Sequence, residues 1–134
     1  MKKLALFLSI YCLPYLLTAQ SISIDSIAEQ LAQEQLDAYN NHDLEAFLKP
    51  YADDVKVYQF PNKLQFEGKE TMRKNYNFLI TTPDLHCELV NRIVEGNTVI
   101  DHENVTVSKD RPPFKAIAIY KIKDGKIAQV YFIQ

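Results

Sequence analysis

The sequence contains few cysteines, and this excludes disulfide bonds as a source of stability. Only Cys12 and Cys87 are cysteines among its 134 residues. Cys12 lies in an N-terminal segment that we predict to be removed, so Cys87 has no partner in the remaining chain, even in an oxidising compartment. The folded state must therefore be stabilised by burial of apolar side chains, to which dimerisation would add.

An excess of positive charge is also missing. The chain carries 15 Lys and Arg against 17 Asp and Glu, and without Lys2 and Lys3 the basic count falls to 13. Proteins that bind nucleic acid neutralise phosphates with clustered basic side chains. We therefore predict no nucleic-acid partner for this mildly acidic chain.

The N-terminal apolar run, from Leu4 to Leu17, is too short to span a membrane. A spanning helix needs roughly 20 apolar residues, and this run also contains Pro14. It follows two lysines and precedes Thr18-Ala19-Gln20, an arrangement typical of an export signal peptide. We predict cleavage after Ala19, which removes residues 1–19 and leaves a periplasmic or secreted protein with no stable membrane span.

Residues 20–134 contain no linker, repeat or low-complexity tract and predict a single domain. Helical periodicity is present in residues 24–39, in a short segment after Asp43, and in residues 69–80. The β-rich runs are residues 55–60, 64–67, 85–94, 99–108 and 115–134, and Asp53-Asp54 is predicted to turn the chain before the first of them. Helices come early and strands late, which predicts an α+β fold with three N-terminal helices on one face of a mainly antiparallel sheet.

The closing segment, KAIAIYKIKDGKIAQVYFIQ, predicts a β-hairpin whose two-residue turn is Asp124-Gly125. Regular pairing across this turn places Tyr120 and Tyr131 on the same face. The other face carries a second apolar set, formed by Ile117, Ile119, Val130 and Phe132. A hairpin that is apolar on both faces needs another structural layer packed against each face to shield it from water. We predict that the domain's own helices cover one face and that a partner covers the other.

The hairpin of residues 85–108 carries a cluster of ionisable side chains. Regular alternation about the Gly96-Asn97 turn places five ionisable side chains on one face: His86, Glu88, Arg92, Asp101 and Glu103. So many ionisable groups on one face are typical of a solvated surface. His102 then points inward beside Asn91 and is the best single candidate for general acid–base catalysis. A β-bulge would reverse the faces and bring Arg92, Asp101 and Glu103 into a cavity.

The same alternation argues against a metal site at Asp101-His102-Glu103. Successive side chains of a regular strand point to opposite faces, so His102 cannot share an ion with the two carboxylates. We therefore predict no metal, and the sequence indicates no cofactor. Cys87 lacks a local nucleophile signature and is interpreted as a core residue.

Polar groups on otherwise apolar elements are the remaining candidates for ligand contact. Gln35 lies in the middle of the apolar stripe of the first helix, so it either bonds a ligand or is a core amide bonded to backbone. Tyrosines combine an apolar ring with a hydroxyl and would suit an aromatic-lined pocket. The predicted ligand-binding set is Gln35, Tyr58, Tyr76, Asn91, Tyr120 and Tyr131.

The order of elements and three soft motifs resemble the nuclear transport factor 2-like superfamily, in particular its SnoaL-like branch. The motifs are YNNHDLEAFLKPYADDVKVYQFP, a helix that follows Gly68, and the closing IYKIKDGKIAQVYF. The resemblance covers nearly all of residues 20–134. It implies a cone in which a curved sheet wraps three helices around a pocket for a small, often hydrophobic molecule. It also implies a homodimer formed through the outer face of the sheet.

The superfamily includes ketosteroid isomerases, and the resemblance allows their catalytic positions to be checked. These enzymes use an acidic base after the first strand, a tyrosine on the first helix and a protonated acid on the penultimate strand. The corresponding positions here are Gln59 or Phe60, Gln35 and Ala118. An amide is not a base near neutral pH and an alanine donates no hydrogen bond, so this mechanism is disfavoured.

Three functional hypotheses follow. The first is an exported domain that binds a small, mainly apolar molecule. The second is an isomerase-, dehydratase- or hydrolase-like enzyme that uses His102, or else Arg92, Asp101 and Glu103. The third is a protein-interaction module that uses the outer face of the sheet.

Overall fold

Residues 23–134 are described by a computed structural model of the chain. The predicted signal peptide, residues 1–19, lies outside the described residues. Between residues 23 and 134, no helix combines the length and the apolar character needed to cross a membrane.

Within the described residues, three α-helices lie before residue 76. They are α1 (Ile24–Asn40), α2 (Leu44–Leu48) and α3 (Lys69–Asn75). Ser23 and Asp43 begin the first two helices, because their side-chain oxygens accept hydrogen bonds from backbone N–H groups in the first turn. Helix α3 follows Gly68, whose φ of 91° is a backbone conformation that suits glycine.

In the described part of the chain, six strands form one sheet in the order β2-β1-β6-β5-β4-β3. They are β1 (Tyr51–Gln59), β2 (Lys63–Glu67), β3 (His86–Glu95), β4 (Thr98–Thr106), β5 (Phe114–Lys123) and β6 (Lys126–Ile133). Neighbouring strands are antiparallel, except that β1 and β6 run parallel. The α+β prediction, three helices on a mainly antiparallel sheet, is confirmed.

The helices cover one face of the sheet, which we call the inner face. One buried cluster joins both layers and includes Ala28, Leu31, Phe47 and Met72 from the helices and Val55, Val99, Ala118 and Ile127 from the strands. Full burial of a large apolar side chain contributes about 1.5–3 kcal/mol. The core therefore lies between the helices and the inner face, as the amphipathic pattern of α1 predicted.

Two element boundaries differ from those that the sequence predicted. The predicted turn at Asp53-Asp54 is wrong, because β1 begins at Tyr51 and both aspartates lie inside the strand with exposed side chains. Tyr51 pairs with Ile127 of β6, so sheet pairing overrides the local turn preference. The third helix, predicted as 69–80, ends at Asn75 and is followed by a short 3₁₀-helix, Asn77–Ile80.

A β-bulge in β3 decides which face of the 85–108 hairpin lies inside. The pairing with β4 changes register between Leu89 and Asn91, which makes Val90 the extra residue. The bulge lets Cys87 and Leu89 share the inner face with Asp101 and Glu103. Asp101 is 0% exposed and Glu103 6% exposed, so the solvated position predicted for them and for Arg92 is wrong and the bulged alternative is observed. His86 and Glu88, before the bulge, are exposed as predicted.

A second bulge, at Ala128 in β6, changes the faces of the closing hairpin. Lys121 pairs with Gln129 but Ile122 pairs with Ile127, so residues after Ala128 alternate out of phase with the prediction. Val130 and Phe132 therefore face inward and contact the core. Their predicted place on a partner surface with Ile117 and Ile119 is wrong.

Candidate functional site

A cavity of about 460 Å³ lies between the helices and the inner face of the sheet. Its walls come from α1, α2, the α3 region and all six strands. It is lined by Gln35, Leu36, Tyr39, Phe47, Tyr51, Val57, Tyr58, Gln59, Gln65, Phe66, Asn75, Tyr76, Phe78, Cys87, Glu103, Val105, Phe114, Ala116, Tyr120, Phe132 and Gln134. A volume of this size is typical of small-molecule sites.

Aromatic rings from the helical layer form one continuous wall of the cavity. The ring centroids of Phe47 and Tyr76 lie 4.8 Å apart, and those of Tyr76 and Phe78 lie 5.5 Å apart. Tyr39 contacts Phe47 at 6.1 Å and Phe78 at 6.5 Å. Because each ring packs against another, the wall is held by side chains from three elements and presents apolar ring surface to the cavity.

A buried hydrogen-bond network forms the polar part of the cavity. Gln35 Nε2 donates to the Tyr120 hydroxyl at 3.0 Å and to the Ala32 carbonyl at 3.1 Å. The Tyr51 hydroxyl donates to Gln35 Oε1 at 3.3 Å. Gln35 therefore lines the cavity, and its amide group is also hydrogen-bonded to other protein groups. Both interpretations that the sequence left open, ligand contact and a hydrogen-bonded core amide, thus agree with its position.

Glu103 is the carboxylate of this cavity. Its side chain comes from β4, and burial raises its pKa to about 7, with the negative charge of Asp101 as the second cause. Hydrogen bonds from Cys87 and Tyr120 and the positive charge of Arg92 oppose the shift without cancelling it. A carboxyl group with a pKa near neutral pH can both accept and donate a proton under physiological conditions.

Arg92 and Asp101 form a buried ion pair beside Glu103. Arg92 Nε and Nη2 donate to the two carboxylate oxygens of Asp101, each at 2.7 Å. Arg92 Nη1 donates to Gln33 Oε1 of helix α1 at 2.8 Å. The bidentate geometry satisfies both charges and ties α1 to the sheet. The positive charge of Arg92 is thus matched by Asp101.

Cys87 is a cavity residue that the sequence interpretation assigned only to the core. Burial, followed by the charge of Glu103, raises the pKa of its thiol well above the usual range. Asn40 fixes its backbone, because Asn40 Nδ2 donates to the Cys87 carbonyl at 2.9 Å and the Cys87 N–H donates to Asn40 Oδ1 at 2.8 Å. No local motif marks this role, since it depends on a contact between α1 and β3.

The cavity brings together only some of the predicted site residues. Gln35, Tyr76 and Tyr120 border it. Tyr58 also lies at its edge, but its ring belongs to the other face of the sheet, where it stacks on Tyr131 at 4.8 Å. Asn91, His102 and Tyr131 lie on the opposite face, which we call the outer face. The inward orientation predicted for His102 is wrong because Asp101 and Glu103, its strand neighbours, point inward.

The positions compared with ketosteroid isomerases hold no acidic side chain at the cavity. Gln35 and Gln59 border it with amide groups, and Ala118 is fully buried on the inner face. The carboxyl group of the site instead comes from Glu103, on the neighbouring strand β4. Within residues 23–134, no three His, Cys, Asp or Glu side chains are grouped so as to hold a metal ion.

The sequence matches the model of the SnoaL-like domain family over residues 32–130. Since the match covers most of the chain and the fold agrees with it, the protein belongs to this family, within the nuclear transport factor 2-like superfamily. No curated protein sequence matches it significantly.

Solved structures share this fold, and three illustrate the range of similarity. An uncharacterized cystatin-fold protein from Novosphingobium aromaticivorans is 25% identical with a TM-score of 0.71, covering 84% of this chain and 99% of that one. A SnoaL-like protein of unknown function from Burkholderia thailandensis is 25% identical with a TM-score of 0.66, covering 81% and 93%. An LEH-like epoxide hydrolase from M. tuberculosis is 14% identical with a TM-score of 0.67, covering 83% and 80%, and shows similarity of fold alone.

Proposed function

We propose that the protein binds a small, mainly apolar molecule in the cavity between its helices and its sheet. The observation that carries this proposal is a cavity of about 460 Å³ lined chiefly by aromatic and aliphatic side chains around a few buried polar groups. Pockets of this composition gain affinity from apolar burial, while their few polar groups orient the ligand. Glu103, Gln35 and Tyr120 supply those groups here.

Binding is tested by thermal shift with sterols, aromatic polyketides, terpenoids, fatty acids and polar metabolites. A native-state ligand raises the melting temperature with the logarithm of its concentration. Val105→Phe would fill part of the cavity and reduce the shift, whereas Thr106→Phe, the next residue on the other face of β4, would preserve it. No shift with any class, or equal shifts in both variants, would contradict binding in this cavity.

Proton-transfer catalysis by Glu103 is the second candidate function. It is favoured by the near-neutral pKa of this carboxyl group inside an aromatic cavity, beside the Tyr120 hydroxyl. Burial raises the pKa of Tyr120, so its hydroxyl stays protonated and can donate a hydrogen bond to developing negative charge. The LEH-like epoxide hydrolase shows that the fold can carry an enzyme, but the reaction must be decided by the site.

Catalysis is tested by following turnover of each compound that binds. The pH profile of kcat/KM should inflect near pH 7, rising with pH if Glu103 acts as a base and falling if it acts as an acid. Glu103→Gln should abolish this inflection and the turnover, while His102→Asn on the outer face should leave both. Turnover that survives in Glu103→Gln would exclude this mechanism.

We also propose that the protein is an exported homodimer. An apolar row crosses the outer face of the sheet through paired residues of all six strands: Leu64, Tyr58, Tyr131, Ile119, Ile100 and Ile93. Ile93 is 54% exposed and Leu64 49% exposed. A two-fold contact would bury this row against its own copy, and a stable monomer would instead favour a different protein as partner.

Export is tested separately from dimerisation. The pattern in residues 1–20 supports cleavage after Ala19. Mass spectrometry of the protein recovered from a secreting host should give a chain that begins at Gln20 in the periplasm or medium. An intact Met1 terminus in the cytoplasm would contradict export.

A further inference from the structure

The charge among the side chains that line the cavity is of one sign, negative. Among the described residues that line it, Glu103 is the one carboxylate side chain, and none is Lys, Arg or His. Ten of the 21 lining residues are Phe or Tyr. An anionic ligand would meet no cationic side chain in these walls, whereas a cationic head group would find a carboxylate.

The positive charge of Arg92, outside the lining, does not cancel the charge of Glu103. Arg92 uses Nε and Nη2 for Asp101 and Nη1 for Gln33, at 2.7–2.8 Å. Its charge is therefore paired with a carboxylate that is fully buried. When Glu103 is ionised, the group formed by Glu103, Asp101 and Arg92 carries one net negative charge.

The aromatic wall adds a second feature that favours a cation. The faces of Phe, Tyr and Trp rings attract ammonium groups within about 6 Å of the ring centroid. Tyr39, Phe47, Tyr76 and Phe78 form linked ring contacts along one side of the cavity. Burial raises the pKa of both the Tyr39 and the Tyr76 phenol, and the charge of Glu103 adds to both shifts.

We infer that the ligand is an organic cation, an amine with an aromatic or other apolar body whose ammonium group pairs with Glu103. This inference rests on the proposed small-molecule function and names the chemical class of its ligand. The ammonium group would neutralise the negative charge of Glu103, which Arg92 neutralises only in part. The apolar body would occupy the aromatic wall.

The titration of Glu103 supports this assignment. The groups that face it are Asp101 on its own strand, Cys87 and Arg92 on β3, Tyr120 on β5, Tyr51 on β1, Tyr39 on α1 and Tyr76 after α3. Their combined effect with burial leaves its pKa at about 7. A bound ammonium favours the ionised carboxylate, so amine affinity must rise with pH through this value.

The test compares three probes that share one ring body: naphthylmethylamine, naphthylmethanol and naphthoic acid. Their affinities for the purified protein are measured by calorimetry at about pH 8, where a carboxyl group with a pKa near 7 is mostly ionised. We expect the amine to bind at least about tenfold more tightly than the alcohol, and the acid to bind most weakly. Lowering the pH to about 6 should weaken amine binding and leave alcohol binding unchanged.

Matched variants separate the head group from the ring body. Glu103→Gln keeps the shape of the side chain and removes its charge, so it should abolish the tighter binding of the amine relative to the alcohol. Glu88→Gln removes the same charge from an exposed position of β3 and should change neither. Retention of the amine preference in Glu103→Gln would overturn the inference.

The outcomes distinguish this inference from the function on which it rests. If the alcohol or acid binds as tightly as the amine, the cation assignment is wrong and small-molecule binding stands. If none of the three binds, both this inference and the proposed use of the cavity for aromatic ligands are overturned.

Discussion

At the scale of single residues, Glu103 differs from most acidic side chains because it lies on the inner face with 6% exposure. Ionisation of a buried carboxyl loses hydration, and nearby Asp101 adds like-charge repulsion. Hydrogen bonds from Cys87 and Tyr120 return only part of that loss. The residue therefore costs stability when it is charged, which is typical of residues retained for binding or catalysis.

Stability should depend on pH through Glu103. Its pKa is about 7 in the folded protein against 4.5 for the free side chain, so the folded state binds the proton more tightly. Its stabilising contribution is present below about pH 4.5 and is lost as pH rises through about 7. Glu103→Gln removes this loss, so the variant should be more stable than the original protein at about pH 8, by at most about 3 kcal/mol.

The measurement is urea unfolding of the original protein and the variant at several pH values. Their difference in unfolding free energy should shrink as the pH approaches about 4.5. Glu88→Gln, an exposed charge on β3, provides the comparison. Parallel pH profiles for Glu103→Gln and the original protein would show that Glu103 titrates normally.

At the scale of secondary-structure elements, two bulges determine what the sheet presents on each side. Val90 in β3 places Cys87 on the inner face together with Asp101 and Glu103. Ala128 in β6 turns Phe132 inward and Tyr131 outward. A one-residue change in register moves every following side chain to the other face, so each bulge affects a whole strand segment.

Deletion of Val90 should disrupt the inner face. The Gly96-Asn97 turn fixes one end of β3, while Asn40 holds the Cys87 backbone at the other. With no bulge, one segment must expose its buried side chains. We expect a loss of at least about 2 kcal/mol in unfolding free energy and faster alkylation of Cys87, measured by site-resolved mass spectrometry. Deletion of Asp110, in an exposed loop, is the control. If Cys87 is alkylated no faster after deletion of Val90, this account is contradicted.

At the scale of the whole molecule, the sheet is apolar on both sides for different reasons. Its inner face forms the core and the cavity, whereas its outer face carries the apolar row that Ile119 and Tyr131 continue across the central strands. The neighbouring row on one side contains the polar pair Lys121 and Gln129, whereas the row on the other side contains Asn91 and His102 followed by Ile117 and Ile133. An extended apolar stripe of this kind is typical of a protein-binding surface.

Ile119→Lys should convert the proposed dimer to a monomer. A lysine at the centre of the outer row would bring two like charges together across a two-fold contact, which disfavours association. Sedimentation velocity measures the change, and circular dichroism checks that the fold is retained. Gln129→Lys, in the polar row, should leave the dimer intact. A monomeric original protein at about 100 μM, well above dissociation constants of stable dimers, would overturn the proposed dimer.

Local sequence patterns were sufficient for the order of elements, the α+β class and the family. Turns such as Asp124-Gly125 are encoded by residues that accept positive φ, and both of these do, at 51° and 70°. Helical periodicity likewise identified α1 and placed Gln35 inside its buried stripe. These features depend on neighbours within a few positions, so one sequence can predict them.

The site itself was decided by tertiary structure. Both Leu89 and Val90 are apolar, and so are Ile127 and Ala128, so period-two patterning could not locate either bulge. Without the bulges, the sequence placed His102 inside and Glu103 outside. The packing of α1 against β3, through Asn40, and the burial of Val99 and Val105 beside Glu103 select the observed register. The sequence by itself determined the elements and their order, whereas long-range packing determined which side chains of each strand enter the cavity.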